Sequence, residues 1–280
     1  MLAGEPSRTA FGAATHRAVH QDLDGASVFR DPLAWTLLGG NRGEAIAEAE
    51  RRGRSALRVF IAARHRFAED SLAEAVARGT DQAVVLGAGL DTFAYRNPHP
   101  DLVVWEVDHP DTGAWKRERV AAAGLHPRNV RYVGVDFERD DLVQRLQEAG
   151  LDVTRPTFFL WLGVVPYLTH VAVEATLRAV GSVTGAEVVL DYPTGVAGLD
   201  EESLRRRQRL AERTAAVGEP LLSTFEPEEM AQLLRSAGFD EVEDLGRAAI
   251  LTRFLGLPAE VAAARSGVGG GHLVRGRRTH

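Results

Sequence analysis

The sequence predicts an α/β fold, a mostly parallel sheet with helices on both faces, entered through an all-helical N-terminal segment. Three observations carry this. From Asp81 onward, short apolar runs alternate with helical stretches at the spacing of strand–helix units. The first eighty residues show helical spacing with no comparable strand run. The first apolar run ends at Gly87 in a Gly-x-Gly turn, as strands do at the ligand edge of an open parallel sheet.

In chain order, Ser7 to Leu23 reads as a helix after Pro6. Asn41 can cap a helix entering Glu44 to Arg52. Ser55 to Ala68 carries Leu57, Phe60, Ile61, Ala63 and Phe67 at helical spacing. The expected strands are Gln82–Gly87, Leu102–Val107, Val130–Val135, Thr157–Leu162, Ala186–Leu190, Glu241–Leu245 and His272–Arg275. Helices are expected near 111–123, 138–149, 169–181, 200–216 and 227–237. Pro227 sits in the first turn of the last of these and Gly238 closes it. The glycines of 267–271 read as a connection into the final strand. The expected division is a helical cap over 1–80 and an α/β domain over 81–280, with 192–225 as an insertion that contributes to the acceptor site.

Composition narrows the function. A chain of 280 residues, 45% apolar and 26% charged, can bury a sizeable core as one large domain or two small ones. With no cysteine there is no thiolate zinc site, iron–sulfur cluster or cysteine nucleophile. A net charge of −6 argues against nucleic-acid binding, and Arg275-Gly-Arg-Arg278 is too short a basic run to reverse that. The longest apolar run, Phe158 to Leu168, contains Pro166 and is too short to span a membrane. Met1 to Pro6 has no basic region ahead of an apolar core, so no secretory signal is expected and the default address is the cytoplasm.

The sharpest chemical signal is Val84-Val-Leu-Gly87-Ala88-Gly89-Leu-Asp91-Thr92. Nineteen residues after Gly89, the second strand ends in Glu106-Val-Asp108, where an acid commonly holds ribose hydroxyls. Two cofactor classes share this geometry. A pyrophosphate would be repelled by Asp91 and would need Gly or Ala where Thr92 stands. S-adenosylmethionine carries ribose and a cationic sulfur but no phosphate, so the residues favour it over NAD.

Leu86 to Thr92, Tyr95-Arg96, Trp105-Glu-Val-Asp-His-Pro110 and Lys116 together resemble the leucine carboxyl methyltransferase family. The resemblance runs from about Arg17 to the end. It takes in Val28-Phe-Arg-Asp-Pro32, the Arg64 region, Val135-Asp136-Phe137, Trp161 to Leu168, and Gly218-Glu-Pro220 leading to Gly238-Phe239. It implies a Rossmann-like class I methyltransferase: seven strands, the last antiparallel, under an N-terminal helical cap. The implied activity is S-adenosylmethionine-dependent O-methylation of a small molecule, with natural-product pathways among the settings. The alternatives are an NAD-dependent oxidoreductase and a non-catalytic module that retains the cofactor pocket. The helical addition is compatible with a homodimer.

Position by position, the resemblance places Gly87, Ala88 and Gly89 against the methionine part of the cofactor, with Asp91 in the same loop. Asp108 becomes the ribose acid, with Glu106 as the alternative. Asp136 and Phe137 flank adenine. Arg64 holds the cofactor carboxylate, with Arg66 as substitute. Leu162 belongs to the cofactor-binding set, although the phosphatase-modifying members carry glutamate there, which argues against a phosphatase-tail substrate.

On the acceptor side, Tyr167 follows the fourth strand at its carboxyl edge, and a buried tyrosine with a satisfied hydroxyl is the competing reading. His16 and His20, four apart, share a helix face. They suit a base, a metal pair or a plain lid surface; no third ligand has suggestive spacing, so no metal is expected. Asp31-Pro32 either caps a helix of the lid or lines the site. Arg96 and Lys116 are expected to brace the cofactor loop by ion pairing. Arg205 to Arg209 reads as a solvated face, or alternatively as a clamp for an acidic substrate.

Overall fold

The computed structural model describes residues 7–53, 56–196, 199–266 and 270–279, apart from the side chain of Arg206. Four helices come first: α1 (Arg8–Leu23), α2 (Ala34–Leu38), α3 (Arg42–Arg52) and α4 (Ala56–Ala77). Strands and helices then alternate: β1 (Gln82–Leu86), α5 (Phe93–Arg96), β2 (Val103–Asp108), α6 (Pro110–Ala122), β3 (Val130–Gly134), α7 (Leu142–Glu148), β4 (Thr157–Trp161), α8 (His170–Gly181) and β5 (Glu187–Pro193). The chain closes with α9 (Glu201–Ala216), α10 (Pro227–Ser236), β6 (Glu241–Leu245), α11 (Arg247–Leu255), α12 (Ala259–Ser266) and β7 (Gly271–Arg277). Side chains start many of these helices by accepting from the first-turn amides. Ser7 accepts from Ala10, Asn41 from Glu44, Asp141 from Gln144, Thr169 from Ala172 and Asp200 from Ser203.

The sheet order is β3-β2-β1-β4-β5-β7-β6, with β7 antiparallel to both neighbours and the β1 to β5 pairs parallel. Every residue of β1 and of β4 is buried, as expected of strands covered on both faces. Alternate residues serve different cores. Val84, Leu86, Phe159 and Trp161 pack with α7, α8 and α10, whereas Ala83, Val85, Phe158 and Leu160 pack with α4. Strand order reverses between β1 and β4, so the ligand crevice of such a sheet lies outside the carboxyl ends of these two strands.

Several boundaries depart from expectation for physical reasons. The helix expected over 55–68 runs on to Ala77, because Phe67, Leu72 and Ala75 continue its buried stripe against the sheet. The buried cluster that α4 shares with β1 and β4 thus reaches across residue 80. β5 extends to Pro193, beyond the expected end at Leu190, because Asp191, Tyr192 and Pro193 continue the register with β7. The helix expected over 138–149 begins only at Leu142, since Asp136, Asp140 and Asp141 engage turn and cap amides first. The short helices α2 and α5 and the pair α11 and α12 carried no expected element. Residues 267–269 of the glycine-rich connection lie outside the described residues.

Candidate active site

The loop after β1 is built by backbone and carboxylate together. Ala88 N donates to Val107 O at 2.9 Å. Gly89 N donates to Asp108 Oδ2 at 2.5 Å, and His109 N donates to Asp108 Oδ1 at 2.7 Å. Burial pushes the Asp108 carboxyl above its ordinary value. Gly87 and Gly89 have φ of +67° and +41°, a region open to glycine at no steric cost. A side chain at Gly87 would overlap Val164, in the loop after β4. One at Gly89 would meet Ala10 of α1 at 3.1 Å. The turn is therefore walled on both sides at backbone distance.

Glu106 is not the free acid of the pair. It is 3% exposed, takes Lys116 Nζ at 2.8 Å and accepts from the Tyr95 hydroxyl at 2.7 Å. Lys116 Nζ also reaches Ala88 O at 3.4 Å, so this buried pair braces the loop from behind. Asp108, at the strand end, keeps unshared lone pairs on both oxygens.

Arg64 reaches the edge from α4. Its Nη1 donates to Asp191 Oδ2 at 3.1 Å, and Asp191 Oδ1 accepts Gly163 N at 2.6 Å. A Cβ at Gly163 would lie 2.7 Å from Arg64 Nη1, so this glycine lets the guanidinium reach the loop after β4. The Arg64 Nε is buried and has no partner. A buried donor left unpaired on a charged group is costly and marks a place for an acceptor. Arg66 points elsewhere: it is exposed and pairs with Asp70. It cannot substitute for Arg64.

The cap is fastened to this loop by a buried polar network. Arg17 Nε pairs with Asp31 Oδ2 at 2.6 Å, and its Nη2 donates to Leu90 O at 2.6 Å. Thr92 Oγ1 donates to the same Asp31 oxygen at 2.7 Å, and Arg96 Nε donates to Thr92 Oγ1 at 2.9 Å. Arg96 also pairs with Glu69. Asp31 thus anchors the cap and does not line the crevice. His65 lies beside Arg17 and Asp91. Arg17 can only donate, so His65 Nε2 accepts at 3.3 Å and Nδ1–H faces Asp91 Oδ2 at 3.4 Å. Asp91 Oδ1 accepts Phe93 N at 2.7 Å. This carboxylate orders the start of α5 from within the glycine loop.

Of the acceptor-side candidates, Tyr167 stands in the 3₁₀ turn Val165–Tyr167 after β4. Burial pushes its hydroxyl above the ordinary value; it hydrogen-bonds the Thr9 side chain and feels the charges of Arg64, Glu219 and Asp191. His20 is corrected to a packing residue. It is 0% exposed, its Nδ1 pairs with Asp24 at 2.9 Å and its Nε2 takes Val28 N at 3.3 Å, so neither nitrogen is left for a substrate. His16 is half-buried, and burial first, then Arg58, Arg52, Arg64 and Arg213, hold it down at about 4. It is neutral at pH 7 and a weak base. Among the described residues no group of three or more His, Asp or Glu could hold a metal. Of the arginine run, Arg205 pairs with Glu201 on the exposed face, while Arg207 turns back to Thr194 O at 2.5 Å.

Asp136 and Phe137 follow β3. Asp136 Oδ1 accepts Glu138 N at 3.0 Å, and Arg139 lies 3.6 Å from Oδ2. Phe137 is half-buried and lines a groove of about 380 Å³ with Ala175 and Thr176 of α8. Ala88 is buried, and Leu162 packs half-buried against the α4 side of the sheet. The edge therefore presents Asp136, Asp108, Gly87 to Gly89, Gly163 to Tyr167 and Asp191 from five adjacent strands in that order. Asp191 went unread in the sequence, although an acid closing the apolar run Val188-Val-Leu190 was its signal.

Residues 10–181, well over half of the chain, match the model of the leucine carboxyl methyltransferase family. The chain belongs to that family. Among its relatives is a candidate S-adenosyl-L-methionine-dependent methyltransferase of Bacillus subtilis, YktD, 29% identical over 282 residues that cover 88% of this chain and 92% of the relative. A protein of Mycolicibacterium gilvum with the same description is 34% identical over 200 residues, 69% of this chain and 64% of the relative. In fold, the chain is similar to a candidate methyltransferase from Thermobifida fusca, with a TM-score of 0.61 at 17% identity, covering 100% of this chain and 97% of that one. A Streptomyces avermitilis protein gives 0.56 at 18% identity, covering 95% and 97%.

As a member of the leucine carboxyl methyltransferase family, the chain is an S-adenosylmethionine-dependent methyltransferase. Its residues fit that cofactor: a glycine turn without room for side chains, an acid with free lone pairs at the end of β2, and a buried guanidinium with an orphan donor. No helix among the described residues is long and apolar enough to cross a membrane.

The low value of His16 makes a prediction. A histidine neutral in the fold but protonated in the unfolded chain contributes stability that is present above its ordinary value of 6.5 and is lost as pH falls toward about 4. His16→Gln should therefore lose less stability than the parent between pH 7 and pH 4.5, read from urea midpoints. Parallel losses in both proteins would refute this.

Proposed function

We propose that the chain transfers a methyl group to an oxygen of a small-molecule acceptor, a carboxylate in preference to a hydroxyl. A secondary metabolite such as a polyketide is the acceptor class that the sequence resemblance suggests. The observation that carries the siting is Arg64, whose unpartnered Nε belongs to a guanidinium held at the carboxyl edge between the loop after β4 and Asp191 of β5. Arg64 would hold the cofactor carboxylate, Asp108 its ribose hydroxyls, and Asp136 with Phe137 its adenine. Gly87 to Gly89 leave room for it, with Leu162 beneath. Bound S-adenosylmethionine supplies a methyl group on a cationic sulfur, which an oxygen nucleophile can take.

The chain then contributes alignment and exclusion of water. Alignment can supply about 7–11 kcal/mol when two reactants are held in register. A carboxylate acceptor is ionised at neutral pH, since its ordinary pKa lies near 4. It needs no base. That matches what the cap offers: His20 is fully engaged and His16 is held neutral with a low pKa. The Tyr167 hydroxyl, held as the neutral donor by burial, can hydrogen-bond the acceptor oxygen. A hydroxyl acceptor would require a stronger base than these histidines provide.

Titration calorimetry with S-adenosylhomocysteine tests the siting. Asp108→Asn removes a charged acceptor and should weaken binding about 10- to 100-fold, in line with about 1.5–3 kcal/mol for hydrogen bonds to charged groups. Parental affinity in this variant would reject Asp108 as the ribose acid. NADH serves as the control and should not bind. Acceptor class is read separately, by base lability of the labelled product after incubation with labelled cofactor and candidate acids or alcohols. A methyl ester is hydrolysed and a methyl ether is not.

A further inference from the structure

We propose that Glu219 is a positioning residue that holds the first turn of α1 across the cofactor loop, so that ligand enters and leaves only when this carboxylate releases the helix. The first turn of any helix has amides without intrahelical partners. In α1 they point at a side chain 211 and 210 residues away in sequence: Arg8 N donates to Glu219 Oε1 at 3.0 Å, and Thr9 N to Glu219 Oε2 at 3.0 Å. Ser7 Oγ donates to Glu219 Oε2 at 3.1 Å while itself accepting Ala10 N. Glu219 is 9% exposed, and a carboxylate at this end also meets the positive pole of the helix.

What the held turn touches makes the contact functional. Ala10 is the residue that a side chain at Gly89 would strike, and Thr9 hydrogen-bonds Tyr167. One turn of helix thus roofs the glycine loop and fixes the acceptor-side tyrosine. Glu219 is itself tied down. Its amide donates to Thr214 O at 2.9 Å at the end of α9. Downstream, Leu222 N donates to Pro166 O at 2.7 Å and Ser223 Oγ to Val165 O at 2.8 Å. The 218–225 strap therefore joins α9, the turn after β4 and the start of α1. Its glutamate closes the crevice over whatever lies on the loop.

The inference rests on the crevice being the cofactor site, and the experiment separates the two. Stopped-flow kinetics with S-adenosylhomocysteine are measured on the full chain and on Glu219→Ala, Glu219→Gln and Glu219→Asp. With the latch removed, Glu219→Ala should both bind and release the ligand about tenfold faster, the scale of a lost charged hydrogen-bond set. Glu219→Gln should show smaller rises of the same sign, and it carries the test if the alanine variant does not fold. Glu219→Asp should restore slow exchange. A contact that only stabilises the fold would speed release without speeding association, and that result, or unchanged rates, overturns the assignment. No binding by the parent chain would overturn the siting of the crevice instead.

Discussion

Arg64→Met is expected to bind S-adenosylhomocysteine about 10- to 150-fold more weakly and to lose about 3–5 kcal/mol of stability. Two effects act at once. The ligand carboxylate loses its guanidinium, and Asp191, 4% exposed, is left as a buried charge whose remaining partner is the Gly163 amide. The two can be separated. Arg64→Met combined with Asp191→Asn removes the uncompensated charge while keeping an acceptor for Gly163, so stability should recover in part and binding should not. Calorimetry and urea unfolding read the two quantities independently. A single variant that binds normally would show that the orphan Nε has no ligand to hold.

Gly87→Val should abolish measurable binding, a loss of about 100-fold or more. A left-handed backbone costs a side-chain-bearing residue about 1–2 kcal/mol, and overpacking a filled site costs about 1–3 kcal/mol more. At φ +67° the new side chain would collide with Val164, driving the loops after β1 and β4 apart. Gly256 provides the control. Its φ is +64° and nothing lies within 4 Å of an added Cβ. Gly256→Val should carry the backbone cost alone and leave affinity at the parental level. Equal effects at both positions would mean that backbone conformation, not the crevice walls, explains Gly87.

How much of this was legible in the sequence follows from where each signal lives. β1 and β4 were readable because burial on both faces makes each a continuous apolar run, whereas the half-exposed β3 and β6 were readable from alternation between turn residues. The glycine turn and Asp108 were readable because they are neighbours along the chain or across one strand–turn unit. Asp191 and Glu219 were not, because their meaning depends on Arg64 and Ser7 to Thr9, partners 127 and some 210 residues away. His20 misled for a different reason, since its partners Asp24 and Val28 are only four and eight residues away. A histidine on a lid helix looks available until the local turn brings the Asp24 carboxylate and the Val28 amide onto its two ring nitrogens. Helix α2 is five residues long, and the carbonyls at its end are met by Arg119, at 2.7 Å to Leu37 O and 2.8 Å to Leu38 O, so no local pattern announces it.

The most direct test of the central claim is the crystal structure of the chain with S-adenosylhomocysteine. The amino-acid end of the ligand is expected against Arg64 Nε, its ribose hydroxyls on Asp108, and α1 closed over it with Glu219 still accepting from Arg8 and Thr9. Ligand bound away from the Gly87–Gly89 turn, or with its carboxylate distant from Arg64, would contradict it.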